Sequence, residues 1–283
     1  MNKTIYFLGP KTSYSDLAKE EFAKKLGLLE YVEKPMKTIT ALVKEFCNVC
    51  DENTYAVLPI ENSIEGTVKE TLDSIANIEN KNIKILSETT IKIEHCLISF
   101  AKTYDEITHI KSHPQALSQC FEYIYEKFGD NITTQVESST ANAVKNLVEG
   151  NPSFAAIGNK YSAELYNKPI LDFGINDEPN NETRFLLLGI PQHSFVGKND
   201  KSTFIFSTEN KAGALCDVLN ILKDDGINMT YISSKPSRKS LGEYCFYIDI
   251  DGNVLEDKVA RAMFKILSTV KEFKHLGSYP KYK

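Results

Sequence analysis

The sequence predicts an α/β protein in two parts, a larger region of alternating strands and helices and a smaller βαββαβ domain. Apolar strands alternate with amphipathic helical stretches over residues 4 to about 188, which is typical of a mostly parallel sheet covered by helices. With 283 residues, 42% hydrophobic and 25% charged, the chain can bury more than one core. We therefore divide it into residues 1–190, a linker at 191–200 and a second part at 201–283.

Six strands of the first part are predicted from short apolar runs bounded by turn residues. They span residues 5–8, 55–59, 107–110, 132–136, 154–157 and 185–189. Helices lie between them, and Gly27, Gly129 and Gly150 follow three of these helices, as glycine commonly does at a helix end. One of the helices is predicted over 117–128. Residues 83–100 are predicted to be extended strands that cross between two lobes.

Polar turns beside these elements carry the candidate site residues. Four turns are predicted to follow a strand and precede a helix, where open α/β sheets bind ligands and helix N-termini offer free N–H groups to an anion. The fifth is the tripeptide Thr183-Arg184-Phe185 at the start of an apolar strand. There, an arginine fork matches a carboxylate bidentately, and the neighbouring hydroxyl is a further donor. Serines at helix starts are commonly caps, and capping is compatible with ligand binding.

The motifs that occur together here are those of a known enzyme family. The ENSxxG turn at residues 61–66, the HPQAL turn at 113–117 and Thr183-Arg184-Phe185 stand in the family's order. On these motifs the whole chain resembles prephenate dehydratase. The resemblance implies two α/β lobes like a type II periplasmic binding protein, with the site in the cleft between them. It also implies conversion of prephenate to phenylpyruvate, with loss of carbon dioxide and water, on the route to phenylalanine.

On this chemistry, Thr183 is the candidate donor to the leaving hydroxyl and Arg184 the candidate clamp on a substrate carboxylate. No cofactor and no metal are expected. The remaining substrate-binding residues are expected to be Ser13, Asn62, Ser63, Gln115, Ser138, Ser139, Thr140 and Phe185.

The second part has the predicted order of a ferredoxin-like fold, and it resembles an ACT domain. Residues 210–215 match the NxPGAL turn of that domain except that Ala212 replaces proline, and its Glu-Ser-Arg-Pro motif is here Ser233-Ser234-Lys235-Pro236. The resemblance implies feedback inhibition by phenylalanine bound between paired ACT domains of a homodimer or homotetramer. The expected effector-binding residues are Asn210, Ala212, Gly213, Ala214, Leu215 and Ser233.

Charge and hydropathy limit the possible partners. A net charge of −5 argues against nucleic acid, which normally requires a clustered basic face. No run reaches the roughly eighteen apolar residues of a membrane span, and no signal-peptide core precedes the first strand, so we expect a cytoplasmic protein. No helical leader precedes Thr4, so we expect no fused chorismate mutase. The six cysteines are expected to be free thiols, because the single C-x-x-C at Cys47 and Cys50 lacks partners for a metal site.

Two alternatives stay open at this stage. The same reaction on arogenate, the amino counterpart of prephenate, would give phenylalanine directly. A non-catalytic sensor on the same scaffold would bind an anion through Arg184 without chemistry. Thr183 beside Arg184 favours the enzyme, because a binder does not require a positioned hydroxyl.

Overall fold

A computed structural model describes residues 3–192, 196–237 and 243–281. The chain forms two lobes and a C-terminal domain, each built on its own sheet. The predicted linker at 191–200 falls partly outside the described residues, as do short stretches of the predicted second part.

The first lobe contains residues from both ends of the predicted catalytic region. Its elements are β1 (Thr4–Leu8), α1 (Tyr14–Lys25), β2 (Val32–Met36), α2 (Ile39–Val49), β3 (Thr54–Asn62), β4 (Gly66–Thr67), α3 (Lys69–Ala76), β5 (Lys84–Lys92) and β11 (Glu182–Gly189). The strand order is β2-β1-β3-β11-β5, with β4 paired to β3. Phe22 of α1 packs with Phe185 on one face of the sheet, and Phe46 of α2 packs with Leu186 on the other.

The second lobe is built on the five-stranded sheet β10-β6-β9-β7-β8. Its strands are β6 (Cys96–Ser99), β7 (His109–Ser112), β8 (Thr133–Val136), β9 (Phe154–Gly158) and β10 (Ile170–Phe173), and its α-helices are α4 (Pro114–Ser118), α5 (Phe121–Phe128), α6 (Thr140–Lys145) and α7 (Lys160–Leu165). Two 3-10 turns lie at Tyr104–Glu106 and Gly129–Asn131.

Neither sheet is mostly parallel, which corrects the prediction. In the first lobe β1 pairs in parallel with β2 and β3, but β11 is antiparallel to both of its neighbours. In the second lobe β7 pairs in parallel with β8 and β9, whereas β6 is antiparallel to β9 and β10. The antiparallel strands β5, β6, β10 and β11 flank the two segments in which the chain crosses from one lobe to the other. Parallel neighbours would require a crossover connection, usually through a helix, which these segments do not provide.

The strands predicted over residues 83–100 are present as β5 in one lobe and β6 in the other, which confirms the crossing. A second segment, between β10 and β11, returns to the first lobe. The two passages are hydrogen-bonded to each other, because Ile93 N–H donates to the Asn181 carbonyl at 2.8 Å and Ile175 N–H to the His95 carbonyl at 3.0 Å. They form a paired connection between the lobes.

The helix predicted over 117–128 is interrupted. α4 ends at Ser118 and α5 begins at Phe121, with Gln119 and the buried Cys120 between them. The helical spacing of Leu117, Cys120, Phe121, Ile124 and Phe128 predicts a single core-facing side, but in the interrupted helix Phe121 is 66% exposed. Gly129 follows α5 with φ 63°, in the left-handed region that glycine adopts easily.

The C-terminal domain has the βαββαβ order that the sequence predicts. Its elements are β12 (Asp200–Ser207), α8 (Ala214–Asp224), β13 (Met229–Pro236), β14 (Tyr244–Asp251), α9 (Asp257–Thr269) and β15 (Glu272–Pro280), in an antiparallel sheet of order β13-β14-β12-β15. The two helices cover one face. The other face contributes Tyr247, Leu276 and Tyr279 to the core of the first lobe.

In the part of the chain that the structure describes, no helix is long and apolar enough to cross a membrane. All six cysteines are free. Cys96 and Cys120 are buried, whereas Cys216 is exposed.

Candidate active site

A cavity of about 410 Å³ lies between the lobes and contains most of the predicted substrate-binding residues. Its lining combines strand ends and helix starts from both lobes, as expected for ligand binding in an open α/β protein. From the prediction it includes Ser13, Asn62, Gln115, Ser138, Ser139, Thr140, Thr183 and Phe185.

The hydroxyl of Thr183 has a defined orientation. Thr183 lies opposite Asn62 in the β11–β3 ladder, and the Asn62 side-chain N–H₂ donates to Thr183 Oγ1 at 2.9 Å. The orientation of that amide is set by its oxygen, which accepts from the backbone N–H groups of Ile64 and Glu65 at 3.0 and 2.9 Å. Oγ1 accepts this bond, and its own hydrogen has no acceptor among the residues that the structure describes, so that hydrogen can donate to a ligand in the cleft.

A chain of buried amides extends from Thr183 across the cleft. Asn62 also donates to Asn181 Oδ1 at 2.7 Å, and Asn181 donates to Gln119 Oε1 at 3.0 Å. Gln119 Oε1 lies 3.3 Å from His95 Nε2, an arrangement that fits a neutral ring protonated on Nε2. Burial lowers the pKa of His95 to about 4, although the contact with Gln119 opposes the shift. The uncharged ring therefore belongs to a network that links both lobes to Thr183, and its Nδ1 lies 3.5 Å from the Tyr14 hydroxyl.

Capping serines account for several of the polar turns. Ser13 accepts from the Asp16 N–H at 3.2 Å and donates to the Leu8 carbonyl at 3.0 Å, and Ser139 accepts from the Asn142 N–H at 3.0 Å. These serines lie at the cavity wall but use their hydroxyls to begin α1 and α6. Gln115 differs, because its exposed side chain has no hydrogen-bond partner among the residues that the structure describes.

Ser63 does not line the cavity, contrary to prediction. Its hydroxyl donates to the Asn180 carbonyl at 3.1 Å and accepts from the Glu182 N–H at 3.0 Å. The turn leads into the short strand β4 instead of a helix. Ser63 thus fixes the backbone of the segment that precedes Thr183 and does not itself reach the cleft.

Arg184 faces away from the cleft, which corrects its predicted role as a carboxylate clamp. Successive side chains of a strand point to opposite faces, and Thr183 and Phe185 contribute to the cavity whereas Arg184 does not. The guanidinium instead pairs with Asp249 at 2.6 Å, Glu88 at 3.1 Å and Glu61 at 3.2 Å. Burial alone would lower the pKa of Arg184, but Asp249 and its neighbours raise it overall.

The positive charge at the cleft comes from a residue that the sequence analysis missed. Lys37 is the only lysine or arginine among the described residues of the cavity lining. It lies just after β2 and just before Thr38, which caps α2 by accepting from the Ala41 N–H at 3.1 Å. The position of Lys37 in a further strand-to-helix turn could have indicated a role in ligand binding. The turn was not recognised in the sequence because β2 is short and half-exposed and was not predicted. Tyr14, His95 and Gln119 were missed as lining residues as well.

Acidic residues elsewhere in the first lobe surround a lysine. Asp16, Glu20 and Glu33 form the group of closely spaced carboxylates found in the described part of the chain. Lys19 Nζ lies 2.8 Å from Asp16, 2.8 Å from Glu20 and 2.6 Å from Glu33. The Lys19 ammonium group occupies the position that a metal cation would take and neutralises part of the carboxylate charge. The cluster therefore has a structural role beside the turn that precedes α1.

The C-terminal domain has a separate pocket of about 220 Å³ at the start of α8. From the predicted effector-binding set it is lined by Asn210, Gly213, Ala214 and Leu215, together with Tyr244 and Phe246 of β14. Ala212 and Ser233 do not line it. Ser233 lies on β13 between Tyr231 and Lys235, whose side chains contact Thr67 and Asp73 of the first lobe.

Comparison with known proteins relates this geometry to a family. The sequence model described as "Prephenate dehydratase" matches residues 5–193, and the one described as "ACT domain" matches residues 202–268. The chain belongs to the prephenate dehydratase family. It is therefore a carbon–oxygen lyase with a C-terminal ACT domain, which confirms the resemblance stated from the motifs.

Relatives cover the chain almost completely. The prephenate dehydratase of Methanocaldococcus jannaschii is 38% identical over 290 residues, covering 99% of each chain. A crystal structure of prephenate dehydratase from Arthrobacter aurescens in complex with L-Phe is 30% identical, with a TM-score of 0.85 over 98% of this chain and 90% of that one. A structure described as GqqA, a novel type of quorum quenching acylase, is 26% identical, with a TM-score of 0.83 over 99% and 98%. The two-lobed fold with an ACT domain is thus confirmed.

Proposed function

We propose that the cleft converts prephenate to phenylpyruvate, with Thr183 as donor to the departing hydroxyl. The observation that carries this proposal is the Thr183 hydroxyl at the cavity, where Oγ1 accepts from Asn62 and its hydrogen has no acceptor among the described residues. In this reaction the bond to the ring carboxylate breaks and releases carbon dioxide. Its electron pair enters the ring as the bond to the hydroxyl breaks, and the departing oxygen takes up a proton to give water.

The barrier to this elimination lies in expelling a poor leaving group, because the ring gains aromaticity. A hydrogen bond that strengthens as charge develops on the departing oxygen lowers that barrier. A threonine hydroxyl is too weak an acid to supply the proton unaided, so Thr183 acts as a hydrogen-bond donor or relay member. The neutral amides and His95 that surround it add no negative charge to a site for a dianion.

Lys37 is the proposed partner of the side-chain carboxylate of the substrate. Of the two substrate carboxylates, the one on the ring is lost, so an ion pair to it would stabilise the ground state and slow decarboxylation. The side-chain carboxylate persists into the product and can be held throughout. The first N–H groups of α2 are already engaged, since that of Thr40 donates to Glu70 Oε1 at 3.0 Å and that of Ala41 to Thr38 Oγ1 at 3.1 Å, so the charge in this region comes from Lys37 itself.

Adding prephenate to the purified protein and following phenylpyruvate by its ultraviolet absorbance tests the proposal. We expect multiple turnovers of prephenate, and slower turnover of arogenate when its product, phenylalanine, is quantified in a parallel assay. Binding of prephenate without turnover would instead support the sensor alternative, and faster turnover of arogenate would change the substrate while retaining the reaction.

We also propose that L-phenylalanine binds at the pocket before α8 and inhibits the enzyme. Gly213 has φ 83° and precedes the first helical residue, so the backbone can approach a ligand closely and the helix N-terminus favours a carboxylate. The L-Phe complex of the Arthrobacter aurescens relative supports this effector. We propose that this pocket is shared between the ACT domains of a homodimer or homotetramer. We also propose that the protein is cytoplasmic.

A further inference from the structure

Thr183 and Arg184 face two different parts of the molecule from one point on β11. Thr183 faces the cleft, where Asn62 contacts its hydroxyl, whereas Arg184 reaches Asp249 on β14 of the ACT domain. Only one peptide unit separates their α-carbons, so the contacts that hold the Arg184 side chain also restrain the backbone next to Thr183. β11 also shifts register against β3 between Arg184 and Phe185, so the strand pairing is irregular where it carries these residues.

The contacts of Arg184 are buried and mostly charged. Asp249 is 0% exposed and Glu88 is 3% exposed, and Glu88 also pairs with Lys201 of β12 at 2.8 Å. The guanidinium carbon lies 5.0 Å from the centre of the Tyr231 ring on β13. Nη2 has no hydrogen-bond partner among the described residues. Removing one member of such a buried ionic group leaves an uncompensated charge, which is far more costly than losing a surface ion pair.

We propose that Arg184 is a positioning residue, through which the ACT sheet holds Thr183 in its reactive place. The proposal rests on the role proposed above for Thr183. It assigns the ACT domain a structural part in catalysis, in addition to effector binding. Three strands of the ACT sheet participate, because Tyr231, Asp249 and Lys201 lie on β13, β14 and β12.

The same strand connects this contact to the effector pocket. Tyr244 and Phe246 of β14 line the pocket at the start of α8, and Asp249 follows three residues later. A ligand that shifts β14 therefore alters the position of the carboxylate that holds Arg184. The route from effector pocket to Thr183 passes through one strand and one ion pair.

The test compares Asp249→Asn with Asp73→Asn in the full-length protein. Asp249→Asn keeps the size of the side chain and an oxygen for Thr203, whose hydroxyl donates to Asp249 Oδ1 at 2.7 Å. Asp73 is the matched control, because it forms another ion pair between the two parts, 2.9 Å from Lys235, away from Thr183. We expect Asp249→Asn to lower kcat about 10-fold to 100-fold with KM little changed, since a displaced catalytic group costs this much. Asp73→Asn should leave both constants within about twofold, as expected for a partly exposed pair.

A double-mutant cycle separates positioning from a general loss of structure. In a Thr183→Val background, Asp249→Asn should cause no further loss of kcat, because the hydroxyl it positions is gone. An equal loss in both backgrounds, or a folded Asp249→Asn enzyme with normal kcat, would overturn the proposal. If Asp249→Asn does not fold, Arg184→Lys keeps the buried positive charge and is subjected to the same cycle. Absence of prephenate turnover in the unmodified protein would refute the proposed function instead.

Discussion

Single residues of the cleft have separate roles, as shown by Thr183, Asn62 and Lys37. Asn62 uses its amide oxygen to fix the turn at Ile64 and Glu65, and its N–H₂ group to orient the Thr183 hydroxyl. Lys37 supplies charge at the cavity wall. Orientation and charge are therefore provided by separate residues, so they can be tested separately.

Replacing Lys37 by Met should raise KM for prephenate about 10-fold or more while changing kcat less, because the lost ion pair acts on substrate and transition state alike. Lys34→Met is the matched control, since Lys34 lies on β2 three residues earlier, is exposed and does not line the cavity. Steady-state kinetics of both variants measure these changes in KM and kcat. An unchanged KM in Lys37→Met would remove this lysine from substrate binding.

His95 gives the fold a dependence on pH. Its pKa is lowered to about 4 by burial, whereas an unfolded histidine titrates near 6.5. Between these values the unfolded chain binds a proton that the folded chain does not, so stability falls as pH decreases from about 6.5 to about 4. The shift corresponds to at most about 3 kcal/mol.

Urea unfolding of the unmodified protein and His95→Gln at pH 7 and pH 4.5 measures this contribution. The stability advantage of the unmodified protein over the variant should shrink at the lower pH. Parallel pH dependences for the two proteins would show that His95 is not held neutral in the fold.

At the scale of elements, β11 determines both the site and the domain contact. Its apolar run Phe185-Leu186-Leu187-Leu188 was predictable from the sequence, and so was the polar tripeptide at its start. The direction of each side chain was not, because it depends on the strands that flank β11. Both neighbours turned out to be antiparallel, which places Arg184 opposite Glu61 and near Glu88. A pattern of residue types cannot specify such partners, since they are distant in sequence.

Gly277 on β15 allows the ACT sheet to approach β5. A Cβ at this position would lie 2.4 Å from the backbone oxygen of Ile85, and a backbone atom cannot move aside as a side-chain end can. Gly277→Ala should therefore destabilise the protein by about 1–3 kcal/mol. Urea denaturation of the variant measures this cost, and a stability equal to that of the unmodified protein would mean that the two sheets are not so closely packed.

At the scale of the whole molecule, the first lobe and the ACT domain share one core, whereas the second lobe has cores of its own. The two-part order, the family and the second-domain topology followed from motifs and periodicity. The mixed pairing of the sheets, the cleft lysine and the outward direction of Arg184 required tertiary structure, because each depends on which distant segments meet. Lys37 illustrates this, since an exposed lysine that follows a half-exposed strand resembles any solvated residue until the cavity is seen.

L-Phenylalanine at millimolar concentration should raise the melting temperature and lower turnover, because a ligand that binds only the folded state stabilises it by mass action. The sequence contains no tryptophan, so scanning calorimetry and isothermal titration are suitable methods. Sedimentation with and without the ligand tests the proposed oligomer. If melting temperature and turnover both remain unchanged, the ACT domain of this chain does not sense phenylalanine.

The most direct test of the whole account is kcat for prephenate in Thr183→Val, which keeps the branched shape and removes only the hydroxyl. Thr183→Ser, which retains the hydroxyl, is the matched control. We expect the valine variant to lose about 100-fold or more in kcat with KM little changed, as for removal of a donor that acts in the transition state, and the serine variant to retain most of the activity. A folded Thr183→Val enzyme with near-normal kcat would contradict the assignment of Thr183 as donor to the leaving hydroxyl.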